Sequence, residues 1–336
     1  MPFPFILGPL AAAAAAAYGI KKGFDAHETN SRAEDINMNA KKALGIQQNY
    51  LNKARLDAQG QLKLVGKKKI YVLQYDIKPF VESYGKIKNI KFKDSTGLEE
   101  LSHFTITEGE LQELSQVTEL FPAAASGAVE GMGAGALTAF GAYGAVSIFG
   151  TAGTGAAITG LSGAAATNAT LAWLGGGTLA AGGMGVAGGT MVLGGLVAGP
   201  ALAIFGSVMN SKAEENLEKA LKNRAKAEKF IEEMKLVEGR CINIGHRSGY
   251  FVKLLTELDE VFQPLINRLE KIVNSGRTDY RDYNDYEKKV VAMARATAGA
   301  VKAVLDTPIL TEDGAVTTES WQTYREVEAA LPRLHV

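Results

Sequence analysis

Between Glu130 and Lys212 stand 81 consecutive residues with no Asp, Glu, Lys or Arg. A soluble domain seldom runs so far without a charged face, because charged side chains are almost always kept at the surface. The region is also short of bulk: 23 of the chain's 38 glycines fall between Phe121 and Ser211. In water, each glycine inside a helix costs about 1 kcal/mol relative to alanine, so solvent alone would not hold such a segment helical. In a bilayer an unpartnered backbone group costs several kcal/mol, and a helix is the local arrangement that satisfies every one. The small residues then let helices approach closely.

Their spacing fits that use. Gly127, Gly131, Gly135 and Ala139 recur every four residues and form a flat seam. Gly185/Gly189 and Gly195/Gly199 repeat the small-xxx-small pattern. One crossing takes about 20 apolar residues, so the stretch has room for up to four short passes or two hairpins. "GTAGTG" at Gly150 to Gly155 reads as a turn, and Thr167, Asn168 and Thr170 as caps for a helix carrying Trp173, placed at the membrane surface. Pro200 kinks or restarts the last helix. Glu130 is the one acid near the first span, where it must lie near the mouth, face a wet lumen or be protonated; the plainer reading is an exposed carboxylate at a helix end. The competing readings are a tightly packed soluble helical core and a glycine-rich loop region.

A second apolar segment, Phe3 to Ile20, is followed by Lys21 and Lys22. A signal peptide carries its positive charge ahead of the apolar core. The reverse order here favours an uncleaved anchor or an amphipathic lid, with the lysines and the bulk of the chain on the cytoplasmic side. A soluble cytoplasmic form that inserts on triggering is the alternative.

The flanks are polar and helical. Ala33, Ile36, Ala40, Leu44, Leu51, Ala54, Ala58, Leu62 and Val65 follow one helix face, which Ile70, Leu73, Ile77, Phe80 and Tyr84 continue beyond an expected joint at Gly66. Downstream, Glu215/Lys219 and Glu218/Lys222 stand in the supportive i,i+4 order. Phe251, Leu255, Leu258, Phe262, Leu265, Leu269 and Ile272 alternate steps of three and four, the mark of a coiled-coil seam, with Pro264 expected to kink it. A last long helix is expected over about 283 to 305, then a loop and a short helix around Trp321 and Tyr324. The expected class is all-α: long amphipathic helices in a bundle or coiled coil flanking a Gly/Ala-rich helical-hairpin region. The expected divisions are an apolar helix at 1–22, a helical domain at 23–120, the apolar region at 121–211, a coiled-coil region at 212–305 and a tail at 306–336.

Basic and acidic side chains cancel overall, with 36 lysines and arginines against 36 carboxylates, which argues against a chain built as a polyanion binder. Locally they do not. Residues 67–93 hold eight lysines against Asp76 and Glu82, and 94–119 hold seven acids with no Lys or Arg. Lys67, Lys68 and Lys69 are placed at the membrane surface, where each cation contributes about 1 kcal/mol near anionic headgroups. The plainer reading is two solvated helix faces attracting each other across a hairpin. A nucleic-acid patch lacks arginines and a motif, and nucleic acid is not expected as a partner. "NIKFKD" at Asn89 to Asp94 reads as a single strand or extended linker.

Chemistry finds little footing. Cys241 is the one cysteine, and His27, His103, His246 and His335 have no metal-ligand spacing, so no metal and no cofactor are expected. Ser248 near His246 in "GHRSG", read as a loop, has no orienting acid. "DYRDYNDYE" repeats Asp and Tyr every three residues but lacks the glycine and closing glutamate of a calcium loop; it reads as an acidic helix start that packs its tyrosines.

The layout of Phe121 to Ser211 between helices at 33–88 and 212–275 resembles α-helical pore-forming proteins of the cytolysin A type and the colicin pore domains. It is also similar to the glycine-zipper membrane proteins of bacteria. Such a toxin hairpin is usually shorter than this stretch. The resemblance implies a packed form in which polar helices cover the apolar segment and an inserted oligomer in which small-residue seams meet. The expected function is a non-enzymatic membrane-inserting protein that self-associates into a pore, as a toxin or cell-suicide effector. Its partners would be the lipid bilayer and further copies of itself, with no small-molecule substrate. The alternative is a soluble helical scaffold within a larger particle.

Overall fold

The computed structural model describes residues 25–90, 104, 106–120, 140–142, 217–311 and 314–334. The described part is all-α, 87% helical and without a strand. Helix α1 (Asp25–Val72) passes through a π-turn (Leu73–Ile77) into α2 (Lys78–Tyr84). Then come α3 (Glu108–Leu120), α4 (Leu217–Asn274), α5 (Asp285–Asp306) and α6 (Thr318–Ala330). Among the described residues no helix is long and apolar enough to cross a membrane.

The chain divides into two units. Met1–Asn49 with Pro200–Lys235 form the first. Its described parts bury mainly small side chains, Ala33, Ala220 and Ala227, together with Leu44 and Met234. Asn223 donates to Asn37 Oδ1 at 3.3 Å, and the expected Glu218/Lys222 pair closes at 2.8 Å on an exposed face.

The second unit, Tyr50–Gly199 with Leu236–Val336, holds the large core. Here α1 and α4 run parallel, since their contacts climb both sequences together. A Cβ built on Gly245 would lie 3.9 Å from Ala58 Cα, and one on Gly249 3.9 Å from Gln61 Oε1. Further along, Gln263 Nε2 donates to Tyr75 O at 2.9 Å, and the Phe80 and Phe262 rings meet at 5.4 Å. At the end, Lys88 N donates to Thr278 O and Tyr280 N to Lys88 O, a single bridge where "NIKFKD" begins; the rest of that motif lies outside the described residues.

The seven seam positions of α4 are all buried. So are Leu254, Val261, Ile266 and Val273, which widens the stripe beyond a two-position seam to that of a helix packed on several sides. Pro264 sits inside α4, which continues to Asn274 without interruption. Gly66 is likewise no joint: α1 runs through it, and a Cβ built on Gly141 would fall 2.9 Å from its backbone N.

Three ends are fixed by local chemistry. Thr107 and Glu110 form a reciprocal cap on α3, and Asn284 and Glu287 do the same on α5. Thr317 caps α6 through Ser320 N. In "DYRDYNDYE", Tyr280 and Tyr283 pack into the core with ring centroids 5.7 Å apart, whereas Tyr286 is exposed. Asp279 accepts from Arg281 and Asn89, and the Arg277 guanidinium grips the Glu287 carboxylate. The motif is thus a corner between α4 and α5 held by side-chain clamps.

Candidate functional site

Phe140–Ala142 is the one described piece of the charge-free stretch, and it is built into the core. All three residues are buried. A Cβ on Gly141 would fall 1.9 Å from Leu62 O and 2.9 Å from Gly66 N, so only glycine allows this backbone-to-backbone approach. Ala142 O accepts from Ile309 N at 2.7 Å and Leu310 N at 3.1 Å, immediately beyond α5. Gly299 makes a similar approach on α5, where a Cβ would lie 1.7 Å from Phe104 O.

Beneath this anchor lies a layer of charge. Lys69 has no exposed surface; its Nζ donates to Leu305 O at 3.1 Å and stands 6.0 Å from the centre of the Phe140 ring. The carbonyls ending a helix carry the negative end of its dipole, which suits an ammonium there. Burial pushes Lys69 down to about 7, against the pull of Asp306. Burial raises the Asp306 carboxyl, opposed by its bond to Lys302. Lys302 is 2.5 Å from Asp306 and within 4 Å of Glu110 and Glu113 on α3. Burial alone would lower Lys302, yet the bond to Asp306 and these carboxylates hold it above its ordinary value. Glu110 lies below the usual range because Thr107 donates to it. The acids at 110 and 113 therefore turn to Lys302 on α5.

A second buried charge sits in the π-turn, whose closing bond runs from Lys78 N–H to Leu73 O. Asp76 is fully buried; Gln263 donates to its Oδ1 at 2.5 Å, and its Oδ2 has no hydrogen-bond partner among the described residues. Burial, then the neighbouring Asp259 carboxylate, pushes Asp76 well above the usual range, while Gln263 and Lys68 oppose the shift. Lys68 pairs with Asp259 at 2.7 Å and lies 4.5 Å from the centre of the Tyr71 ring. Burial and a second carboxylate so close favour the protonated form of Asp76.

These positions correct one expectation. Lys67 is exposed, but Lys68 is committed to Asp259 and Lys69 is inside the core, so the three do not form a membrane-facing patch. The helical period explains it: Lys69 falls one turn after Val65, on the buried face. Gly127, Glu130, Gly131, Gly135, Ala139, Trp173, Gly185, Gly189, Gly195 and Gly199 lie outside the described residues, as do the turn at 150–155, the caps at 167–170, Pro200 and the apolar segment 3–20. "GHRSG" is helical, not a loop, and Ser248 Oγ donates to Ile244 O at 2.7 Å.

Sequence reasoning passed over Asp76, Arg55 and the depth of Lys69. Each carries a charge in or beside the apolar stripe, and that phase was the available signal. Comparison with protein-family models, curated proteins and solved structures finds no match.

Proposed function

We propose that this chain is a non-enzymatic membrane-inserting protein whose small-residue seams support self-association into a pore, with the bulk of the chain on the cytoplasmic side. The 81 residues without a formal charge carry the reading, because no other solvent makes so glycine-rich a segment helical at so little cost. The anchor supports it. Phe140–Ala142 belongs to that stretch and is tied by backbone contacts to a polar-faced helical scaffold, which gives the apolar segment a fixed origin. The partners are the lipid bilayer and further copies of the chain. The test is flotation with anionic liposomes together with dye release. Both are expected for the wild type, and both are expected to be lost on Gly131→Leu or Gly189→Leu, which block close helix approach. A chain that stays off the liposomes and releases no dye sinks the reading.

One observation favours the second reading, a soluble scaffold within a larger particle: the described piece of the charge-free stretch, Phe140–Ala142, packs protein against protein in the core. A monodisperse particle indifferent to lipid would decide for it.

A further inference from the structure

Where α1 and α4 approach at Ala58 and Gly245, the two helices leave an open groove of about 960 Å³. Its lining combines small residues, Ala54, Ala58, Gly60, Gly245 and Gly249, with apolar walls. Four of the large side chains on those walls are exposed: Leu56 at 68%, Leu64 at 47%, Ile242 at 43% and Tyr250 at 41%. Leu56 and Leu64 stand one turn either side of Gly60, so the glycine makes a notch between them. Lys63, Lys67 and His246 border the groove, with Asp57 as its one carboxylate.

Behind the lining is a guanidinium with one unpartnered donor among the described residues. Arg55, between the lining residues Ala54 and Leu56, is 7% exposed, and its Nε is buried with no hydrogen-bond partner among the described residues. The group that acts on it is the thiol of Cys241, which lines the groove. A buried guanidinium N–H left without a partner is costly, and an anion brought into the groove would relieve part of that cost. The exposed leucines and isoleucine of the walls, beside Lys63 and Lys67, suit an anion that carries an apolar tail. Small-molecule sites run from about 300 to 1,000 Å³.

We propose that the groove binds one anionic phospholipid, its acyl chains on the glycine floor and its phosphate beside Lys63 and Lys67, with Arg55 adding positive charge from behind. The lipid source rests on the membrane reading above, but the site is tested without a membrane. Dihexanoyl phosphatidylglycerol and dihexanoyl phosphatidylcholine, both below their micelle thresholds, and inorganic phosphate are each titrated into the full chain by calorimetry. The expected result is saturable one-to-one binding of the glycerol lipid, at least tenfold weaker binding of the choline lipid and none of phosphate.

Lys67→Glu, at an exposed position, and Gly245→Leu, which fills the groove, are each expected to weaken binding at least tenfold with the melting temperature unchanged. Arg55→Met is expected to weaken binding without lowering the melting temperature, which a purely structural arginine would not permit. Equal affinity for the two lipids, or phosphate binding as tightly as lipid, overturns the proposal. So does a wild-type dimer that Gly245→Leu turns into monomer, which would make a second copy the occupant. Dye release without short-chain lipid binding removes this site and leaves the membrane reading standing. Short-chain binding without flotation or release does the reverse.

Discussion

Lys69 and Asp76 stand about two turns apart on one helical run, both without exposed surface, and burial drives each toward its uncharged form. They reach that state differently. Lys69 meets the carbonyl end of α5 and lies under Phe140, so its surroundings come from segments remote in sequence. Asp76 faces a second carboxylate and an amide from α4, in a π-turn that departs from the regular helix. Removing the cover from a buried group and removing its partner are therefore separable here. The first acts at Lys69, the second at Asp76.

Four substitutions would break or sharpen this contrast. Gly141→Val has the largest expected effect, because its Cβ meets backbone that cannot yield. A loss of about 3 kcal/mol follows, read as a fall in melting temperature, and Lys69 regains its ordinary titration while Asp76 keeps its shift. Gln263→Leu comes next. It takes away the donor to Asp76 and should cost about 1–3 kcal/mol, more in alkaline than in acid solution, by denaturant titration at both pH values.

Lys69→Met tests the alkaline side. The unfolded lysine holds its proton up to about 10.4, whereas the folded one releases it near 7. Between those values the unfolded chain binds more protons, so stability rises with pH. The variant's melting temperature should lose that rise between pH 7 and 10. Asp76→Asn tests the acid side and is the smallest change. The folded carboxyl keeps its proton above the unfolded value near 3.9. That contribution is complete below pH 4 and is lost as pH rises through the raised pKa. The amide keeps the bond from Gln263 and offers a donor toward Asp259, so the decline should vanish and the neutral-pH stability increase by about 1 kcal/mol.

The helical class was legible because apolar residues at steps of three and four bury the faces they mark, from Leu62 and Val65 to Phe251 and Leu269. The α5 helix could be read the same way, and α6 runs where a short helix is expected around Trp321 and Tyr324. The charges were harder. Counting lysines over 67–93 treats Lys67, Lys68 and Lys69 alike, yet steps of about 100° send one to solvent, one to Asp259 and one to the core. The anchor could not be read at all, since the approach of Gly141 to Leu62 is a long-range backbone contact with no side chain to announce it. Gly66 misled because a glycine inside a helix looks, in sequence, like one that ends it.

The parallel course of α1 and α4 has a consequence for the nascent chain. Asp76 waits for Gln263, 187 residues later, and at typical synthesis rates of 5–20 residues per second that delay is about 10 to 40 s. Within it the charge-free stretch is made, and the apolar stripe of α1 still lacks its partner. Any bilayer within reach of the ribosome meets that stretch before the helix that completes the scaffold exists.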